Sequence, residues 1–547
     1  MILDVTINEK SFGDKQLLGA VKFSVDEGEK VGIVGRNGVG KSTLFGILAG
    51  TDKDFSGNVI YRRGVSVVST AQEHIGANNQ LVMEYILSGL PEYSQLSHII
   101  NTYPETMGDD MNMIETYTTS LERFDQKGFY QIEEKIEREL ANFQISDVAR
   151  RPLGTLSGGQ KRLIEIVKVM HSDAHLALID EPTNHMDYVA KQQFIDWMKT
   201  AQQSLLVITH DRDVLAQVDR IVEIKNQTSL SYRGNYEDFL RQNAIATSSG
   251  MNDFEHIRKR IVNLKQKVLD YQRLKEKSRN PGTIQKFKRL EQESRAELAE
   301  LEAKEKPTFW IDKQSVEQLD FKSAARYGKY KAKNIHMNIK NDDSRSKHVL
   351  VRAANLSLGY GERALFDPIE IDLREGEALE LRGRNGAGKT TVIKYLLGDR
   401  SIKRFSGETT LDLNMRVGVY EQEVSERYLD FALEEAIERL YLDRNLSIST
   451  PKIRSLLDNY LFTEADSQIP LRRLSGGQKA RFQLISMLAS DPQLLILDEP
   501  TNHLDLPSIE EIENALTKYS GAILYVSHDN YFRQALGGQI VNVGATN

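Results

Sequence analysis

The apolar and polar positions of this chain change their period along its length. From residue 1 to 28 they alternate, which predicts paired strands with one face on a core and an exposed edge. Short, mostly apolar runs follow: Val31-Gly32-Ile33-Val34, Val65-Ser66-Val67-Val68, Leu205-Leu206-Val207-Ile208 and Val417-Gly418-Val419-Tyr420. Each reads as a buried strand, and none is long enough to span a membrane. In the middle of the chain the period lengthens. Ile257, Ile261, Leu264, Val268, Tyr271 and Leu274 recur every three or four residues, and Ile284, Phe287, Leu290, Leu298 and Leu301 form a looser returning stripe. With the turn signal Pro281-Gly282 between them, these predict an antiparallel helical hairpin whose outgoing helix, about 251–277, is about 40 Å long at ~1.5 Å per residue. Thr247-Ser248-Ser249-Gly250 is expected to break the chain ahead of it.

The strand-rich regions on either side of the hairpin are two copies of one unit. Leu156-Ser157-Gly158-Gly159-Gln160 recurs as Leu474-Ser475-Gly476-Gly477-Gln478. The run from Leu176 to His185, ending Asp180-Glu181-Pro182-Thr183-Asn184-His185, recurs from Leu494 to His503. Thr209-His210-Asp211 recurs as Ser527-His528-Asp529. The offset is 318 residues in all three cases, and chance matches do not hold register. The expected organisation is one α/β domain at 1–243, a helical linker at 244–347 with a polar stretch at Asn341-Asp342-Asp343-Ser344, and a second α/β domain at 348–547. Gln72 to Leu156 is 32 residues longer than Gln422 to Leu474, which marks an acidic, arm-like insertion at about 89–122, best suited to a protein contact.

Composition alters this picture in two places. The chain of 547 residues has no cysteine, so disulfides and thiolate metal sites are excluded and a reducing, cytoplasmic setting is expected. No signal peptide is read at Met1-Ile2-Leu3-Asp4. The formal net charge is −7, yet residues 258–289 alone carry +10. A basic tip on an acidic protein points to a polyanion, so Lys275, Lys277, Arg279, Lys286, Lys288 and Arg289, which flank the turn, are the candidate RNA contacts, against the alternative of a solvated coiled coil.

The chemistry-bearing residues sit at the ends of the predicted strands. Gly35-Arg36-Asn37-Gly38-Val39-Gly40-Lys41-Ser42 follows a strand and opens a helix, and Gly383-Arg384-Asn385-Gly386-Ala387-Gly388-Lys389-Thr390 repeats it. Such a loop closes backbone N–H groups around phosphate oxygens, with the helix dipole behind them. Lys41 and Lys389 suit the terminal phosphates, Ser42 and Thr390 can ligate Mg²⁺, and Thr43 and Thr391 continue each loop. Asp180 and Asp498 can hold Mg²⁺ through water, while Glu181 and Glu499 can orient the attacking water. His210 and His528 end the next strand, within reach of a γ-phosphate, and the set suits in-line phosphoryl transfer to water. Gln72 and Gln422 follow a strand and could ligate the metal or be ordinary surface glutamines. Phe12 and Tyr360 sit in equivalent turns, where an aromatic could stack on a nucleotide base or cover a core edge.

Together these motifs resemble ATP-binding-cassette (ABC) ATPases, with Leu-Ser-Gly-Gly-Gln as the distinguishing element. The resemblance implies two cassettes that bind two ATP head to tail. Ser475, Gly477 and Gln478 would cap the site of Lys41, and Ser157, Gly159 and Gln160 that of Lys389. Within that superfamily the chain resembles the ABC-F class over nearly its whole length. Both halves read Glu-Pro-Thr-Asn-His-(Met/Leu)-Asp, the first ends Tyr232-Arg233-Gly234-Asn235-Tyr236, and a charged helical segment joins them. That class implies a monomer that binds the ribosomal E site, a linker reaching P-site tRNA and the peptidyl-transferase region, and an insertion reaching toward the L1 stalk.

The expected function is therefore a ribosome-binding ATPase that modulates translation. The short turn near Ser278–Thr283 favours a general translation factor over ribosome protection against antibiotics. The alternatives are a fused double ATPase subunit of a membrane importer, which needs no basic hairpin, and ATP-driven DNA maintenance, for which nothing here reads base edges.

Overall fold

The computed structural model describes residues 1–13, 15–71, 76–184, 186–304, 306–312, 315–316, 321–337, 348–412, 415–421 and 423–544. Gln72, Gln422 and the stretch Asn341–Ser344 lie outside these. The chain forms two compact units: one is Met1–Tyr236 together with Ile335–Asn547, the other Glu237–Asn334.

The first cassette runs β1 (Leu3–Phe12), β2 (Lys15–Leu18), β3 (Val21–Val25), β4 (Lys30–Val34), β5 (Ser56–Tyr61), β6 (Val67–Ser69), β7 (Leu176–Asp180), β8 (Ser204–Ile208), β9 (Arg220–Lys225) and β10 (Thr228–Arg233). The alternation at the start of the chain becomes an antiparallel sheet. Leu3, Val5 and Ile7 are buried on one face, and Val5 pairs with Phe23 on one side and Val59 on the other. The apolar runs become a sheet ordered β10-β9-β4-β8-β7-β6, parallel from β9 to β6. Every residue of β7 and β8 is buried, as expected where both faces of a parallel sheet are covered. The antiparallel sheet and one face of the parallel sheet share a core that includes Val5, Phe23, Ile33, Leu44, Leu178 and Ile208.

The second cassette repeats the plan with β11 (Val349–Tyr360), β12 (Arg363–Ala364), β13 (Ile369–Arg374), β14 (Ala378–Arg382), β15 (Lys403–Leu411), β16 (Val417–Tyr420), β17 (Leu494–Asp498), β18 (Ala522–Val526) and β19 (Gln539–Asn542). Its parallel sheet is β16-β17-β18-β14-β19. In both cassettes the P-loop follows the strand that lies beside the one ending in the histidine, β4 beside β8 and β14 beside β18. The carboxylate strand is the next one over. The carboxyl ends of three neighbouring strands thus deliver the three pieces of the site to one edge, where ligands of parallel α/β sheets bind.

The insertion is a helical hairpin, Tyr93–Thr106 and Met111–Gln126, so it runs slightly past the expected bounds. Asp110 caps its second helix by accepting from Asn112 N and Met113 N. Its base is held by aromatic edges, with Phe124 5.2 Å from Phe129 and 4.9 Å from Tyr130, and by a two-pronged pair of Arg123 with Glu92.

In the Glu237–Asn334 unit the hairpin is present but its outgoing helix is longer than expected. One helix runs unbroken from Tyr236 to Lys277, 42 residues, through the Thr-Ser-Ser-Gly stretch read above as a break. Tertiary packing overrides the local propensity there. A Cβ on Gly250 would lie 2.8 Å from the ring of Phe309, so the glycine admits an aromatic rather than ending the helix. Thr247 and Met251 beside it are buried. The return helix spans Pro281–Glu302, with Asn280 capping it and Pro281 at its first position. Leu264 and Val268 are buried, and Tyr271 stacks on Phe287 at 6.2 Å. Arg260–Glu297 and Lys265–Glu302 pairs tie the two helices farther from the turn.

Candidate nucleotide site

Between the two cassettes lies a cavity of about 1350 Å³. A single small-molecule pocket holds roughly 300–1,000 Å³, so this space is on the scale of two joined sites. Its lining includes Asn37, Gly38, Gly40, Lys41, Ser42, Thr43, Asp180, Glu181 and His210 from the first cassette with Ser475 and Gly477 from the second. The reciprocal set is Asn385, Gly386, Gly388, Lys389, Thr390, Thr391, Asp498, Glu499 and His528 with Ser157, Gly159 and Gln160. Phe12 and Tyr360 are not in the lining; they stand 58% and 48% exposed, and Lys10 lies over the Phe12 ring. Gly35 and Gly383 sit behind the loops, where a Cβ would lie 2.5 Å from Ile224 O and 2.2 Å from Val543 O. Gln478 turns toward its own cassette, donating to Asp466.

Each P-loop is shaped by its glycines. Gly40 and Gly388 precede their helices in the left-handed region, at φ 97° and 101°, which a side chain would resist. The loop lysine braces the turn from inside: Lys41 donates to Gly35 O at 2.7 Å and Arg36 O at 3.2 Å, and Lys389 to Gly383 O and Arg384 O at 2.7 and 3.0 Å. Ser42 donates to Asp180 at 3.1 Å and Thr390 to Asp498 at 3.0 Å. A hydroxyl beside a carboxylate is an all-oxygen donor set of the kind Mg²⁺ takes, usually with waters and substrate phosphate completing it.

The signature sequences are helix starts. Ser157 and Ser475 each cap a helix, accepting from the backbone of Gln160 and Gln478, whose side chains return to the serine N–H. This capping box explains the Ser-x-x-Gln spacing and leaves a helix N-terminus facing the cavity, where a phosphate is favoured. The approach is close: a Cβ on Gly477 would lie 2.2 Å from Asn37 Nδ2 of the opposite P-loop. Asn37 also donates to His503 O at 2.8 Å and, through its backbone, to Asp505 at 3.2 Å. The mirror contact is Asn385 N to Asp187 at 3.1 Å. Each P-loop is therefore joined to the signature side of the other cassette, the head-to-tail arrangement.

Glu181 and Glu499 take positive φ, 47° and 53°, uncommon for a non-glycine and a mark of local strain at functional positions. Burial pushes the Glu181 carboxyl up to about 8, Asp180 adding to it and Lys41 opposing. Burial pushes Glu499 up to about 7. Burial lowers both lysines, Lys41 and Lys389. His210 and His528 are driven down to about 3, by burial first and then by the charge of the neighbouring P-loop lysine, so both rings are neutral at pH 7. Neither ring nitrogen of His210 makes a hydrogen bond among the described residues, and Glu181 stands 3.7 Å away. Buried polar atoms left this way fit a polar ligand at the cavity floor, as ATP with its metal would be.

Asp187 and Asp505 escaped assignment from sequence. They cap helices Tyr188–Thr200 and Leu506–Leu516 while reaching across to the other P-loop. Their shared 318-residue offset, and their place at the end of the repeated Glu-Pro-Thr-Asn-His-(Met/Leu)-Asp run, were the signals that could have found them. Arg162, which donates to the carbonyls of Asp180 and Glu181, left no such trace, since the residue 318 positions on is Ala480.

A family model described as ABC transporter matches residues 18–184 and 366–502. The ATP-binding protein YheS of Escherichia coli K12 is 31% identical over 521 residues, covering 95% of this chain and 75% of that one. ABC transporter F family member 2 of Arabidopsis thaliana is 26% identical over 548 residues, covering 98% and 75%. Among solved structures, RNase-L Inhibitor superposes with a TM-score of 0.54 at 17% identity, over 98% of this chain and 89% of that one, a likeness of fold. The chain belongs to the ATP-binding-cassette family, in its ABC-F class. It is an ATPase built from a tandem repeat of the cassette.

Proposed function

We propose that this ATPase works on the ribosome in the cytoplasm, as a general translation factor that binds the E site as a monomer. ATP held between its cassettes would set when its linker meets P-site tRNA and ribosomal RNA near the peptidyl-transferase centre. The observation that carries this reading is at the linker turn. Lys277, Arg279, Lys286 and Lys288 are exposed there, and no acid among the described residues pairs with them. The other two candidates are committed elsewhere: Lys275 pairs with buried Glu291 at 2.6 Å and Arg289 with Glu293 at 2.8 Å. Four such cations at one end of a hairpin suit a phosphate backbone, where each ion pair formed adds to affinity and to salt dependence. The helical insertion, Tyr93–Gln126, is the arm we assign to a protein contact such as the L1 stalk. Among the described residues no helix is long and apolar enough to cross a membrane.

In the site, Glu181 and Glu499 would orient the attacking water, and His210 and His528 would donate to the γ-phosphate from neutral rings. Ser42 with Asp180, and Thr390 with Asp498, would hold Mg²⁺, which when bound supplies charge neutralisation for the phosphates. Gln72 and Gln422 are assigned to the same metal positions, and Phe12 and Tyr360 to the adenine. The lysines and signature serines would grip the phosphates from opposite cassettes, so hydrolysis is tied to cassette closure. The test is ribosome co-sedimentation over a salt series with Lys277, Arg279, Lys286 and Lys288 changed to Ala. Binding should weaken, and its salt slope should flatten by about one unit, or slightly less, for each phosphate no longer neutralised. Unchanged affinity and slope would refute the assignment.

A further inference from the structure

The symmetry relating the two ATP sites fails at Lys191. This residue, on helix Tyr188–Thr200 of the first cassette, is 5% exposed. Its ammonium reaches Asp211 at 2.8 Å, Asp213 at 2.6 Å and the backbone carbonyl of His528, in the other cassette, at 3.1 Å. An ammonium has three N–H donors, and here there are three acceptors for them. His528 is also held from the other side: its backbone N–H donates to Glu499 at 3.3 Å, and its ring stands 3.2 Å from that carboxylate. The helix carrying Lys191 starts at Asp187, which accepts from Asn385 in the second P-loop. One helix of the first cassette thus touches both the phosphate loop and the histidine of the site of Lys389.

At the mirror position, 318 residues on, stands Ile509, which lines the cavity but has no ammonium to offer His210. Asp213 is mirrored by Tyr531 and Arg212 by Asn530, so among the described residues the clamp has no counterpart. Arg212 strengthens the one-sidedness: it pairs with Glu513 and with Asp529 at 2.9 Å and lies 4.7 Å over the Tyr531 ring. Both cations come from the first cassette, and both act on the segment His528–Asp529.

We propose that Lys191 is a positioning residue that makes the two ATP sites inequivalent, fixing the carbonyl of His528 and hence the ring beside Glu499, while the site of Lys41 works without such a clamp. This rests on the two-site hydrolysis reading above. A carbonyl freed from a buried cation lets the histidine swing away from its place beside Glu499. The loss should fall on the chemical step more than on ATP binding, whose main contacts come from the P-loop.

The test uses the full chain with Lys191→Ile, the residue found at the mirror position, placed in two backgrounds. Glu181→Gln leaves the Lys389 site active, and Glu499→Gln leaves the Lys41 site active. In the first background Lys191→Ile should lower kcat about tenfold or more with KM for ATP within about threefold, the scale of losing one hydrogen bond to a charged group. In the second, kcat should fall by less than about threefold. Equal losses in both backgrounds, or no loss at the Lys389 site, overturn the proposal and leave the two-site reading standing. Wild-type turnover in both parent backgrounds overturns both. Thermal melting of each variant checks folding. Should Lys191→Ile fail to fold, Asp213→Asn keeps the lysine and loosens its aim, and the same inequality is required of it.

Discussion

The two cassettes place matching residues along the cavity and differ in what surrounds them. Ser42–Asp180 and Thr390–Asp498 match in kind and distance, and Glu181 and Glu499 share the same backbone twist. Around that common set, the first cassette has charge where the second has amide or hydrocarbon. Glu165, fully buried on the signature helix, accepts from Ala71 N at 2.8 Å and is paired with Lys168. Its counterpart Gln483 holds the backbone of Glu421 with an amide, by one bond in each direction. Ala71 and Glu421 immediately precede Gln72 and Gln422. The first cassette also carries the helical insertion, whose neighbouring helix supplies Tyr85 to the same Glu165. The residues assigned to phosphate and metal match in both copies while the layer behind them differs, so the asymmetry lies in how the sites are supported.

The hardest test of the shared part is to remove both carboxylates proposed to orient water, Glu181 and Glu499. Glu181→Gln with Glu499→Gln should leave ATP binding intact and slow single-turnover hydrolysis by on the order of a thousandfold or more, as losses of positioning groups in phosphoryl transfer do. Hydrolysis near the wild-type rate would remove these residues from the reaction. Ser475→Arg sharpens the pairing of the halves. It should lower nucleotide occupancy at the Lys41 site about tenfold or more and spare the Lys389 site, read with the other P-loop lysine substituted. An effect confined to the Lys389 site would contradict the contacts of Asn37 with His503 and Asp505.

A smaller effect follows from the raised carboxyls. In the fold Glu181 and Glu499 keep their protons up to about pH 8 and 7, whereas their ordinary value is 4.5. The folded, nucleotide-free protein therefore binds more protons than the unfolded chain between these limits, and its stability falls as pH rises through them. The double Gln variant lacks this penalty. It should melt with the wild type near pH 5 and at a higher temperature than the wild type at pH 8. A gap that shrinks as pH rises would reverse the sign. Below pH 6.5 the buried histidines act the other way: the unfolded chain takes up protons that His210 and His528 refuse, so stability falls with further acidification.

Much of this molecule was legible in the sequence because its signals are local or periodic. Strand, loop and helix around Lys41 are contiguous, and the 318-residue register by itself matches Glu181 with Glu499 and His210 with His528. What escaped depends on contacts between distant residues. Gly250 reads as a breaker in isolation and is a seat for Phe309 in the fold. Asp187 and Asp505 each cap a helix, and their second contact appears only when the opposite P-loop arrives. The insertion showed its acidity but not its helical hairpin. Six linker cations looked alike by charge, and the return helix separates them by bringing Glu291 and Glu293 to Lys275 and Arg289.

On the proposed function, the ATP-bound cassettes hold this protein on the ribosome. The direct measurement is co-sedimentation of the Glu181→Gln, Glu499→Gln variant with ribosomes in ATP and in ADP. Retention in ATP with release in ADP is the expected result. Equal sedimentation with either nucleotide, or none with both, would contradict ATP-dependent ribosome binding.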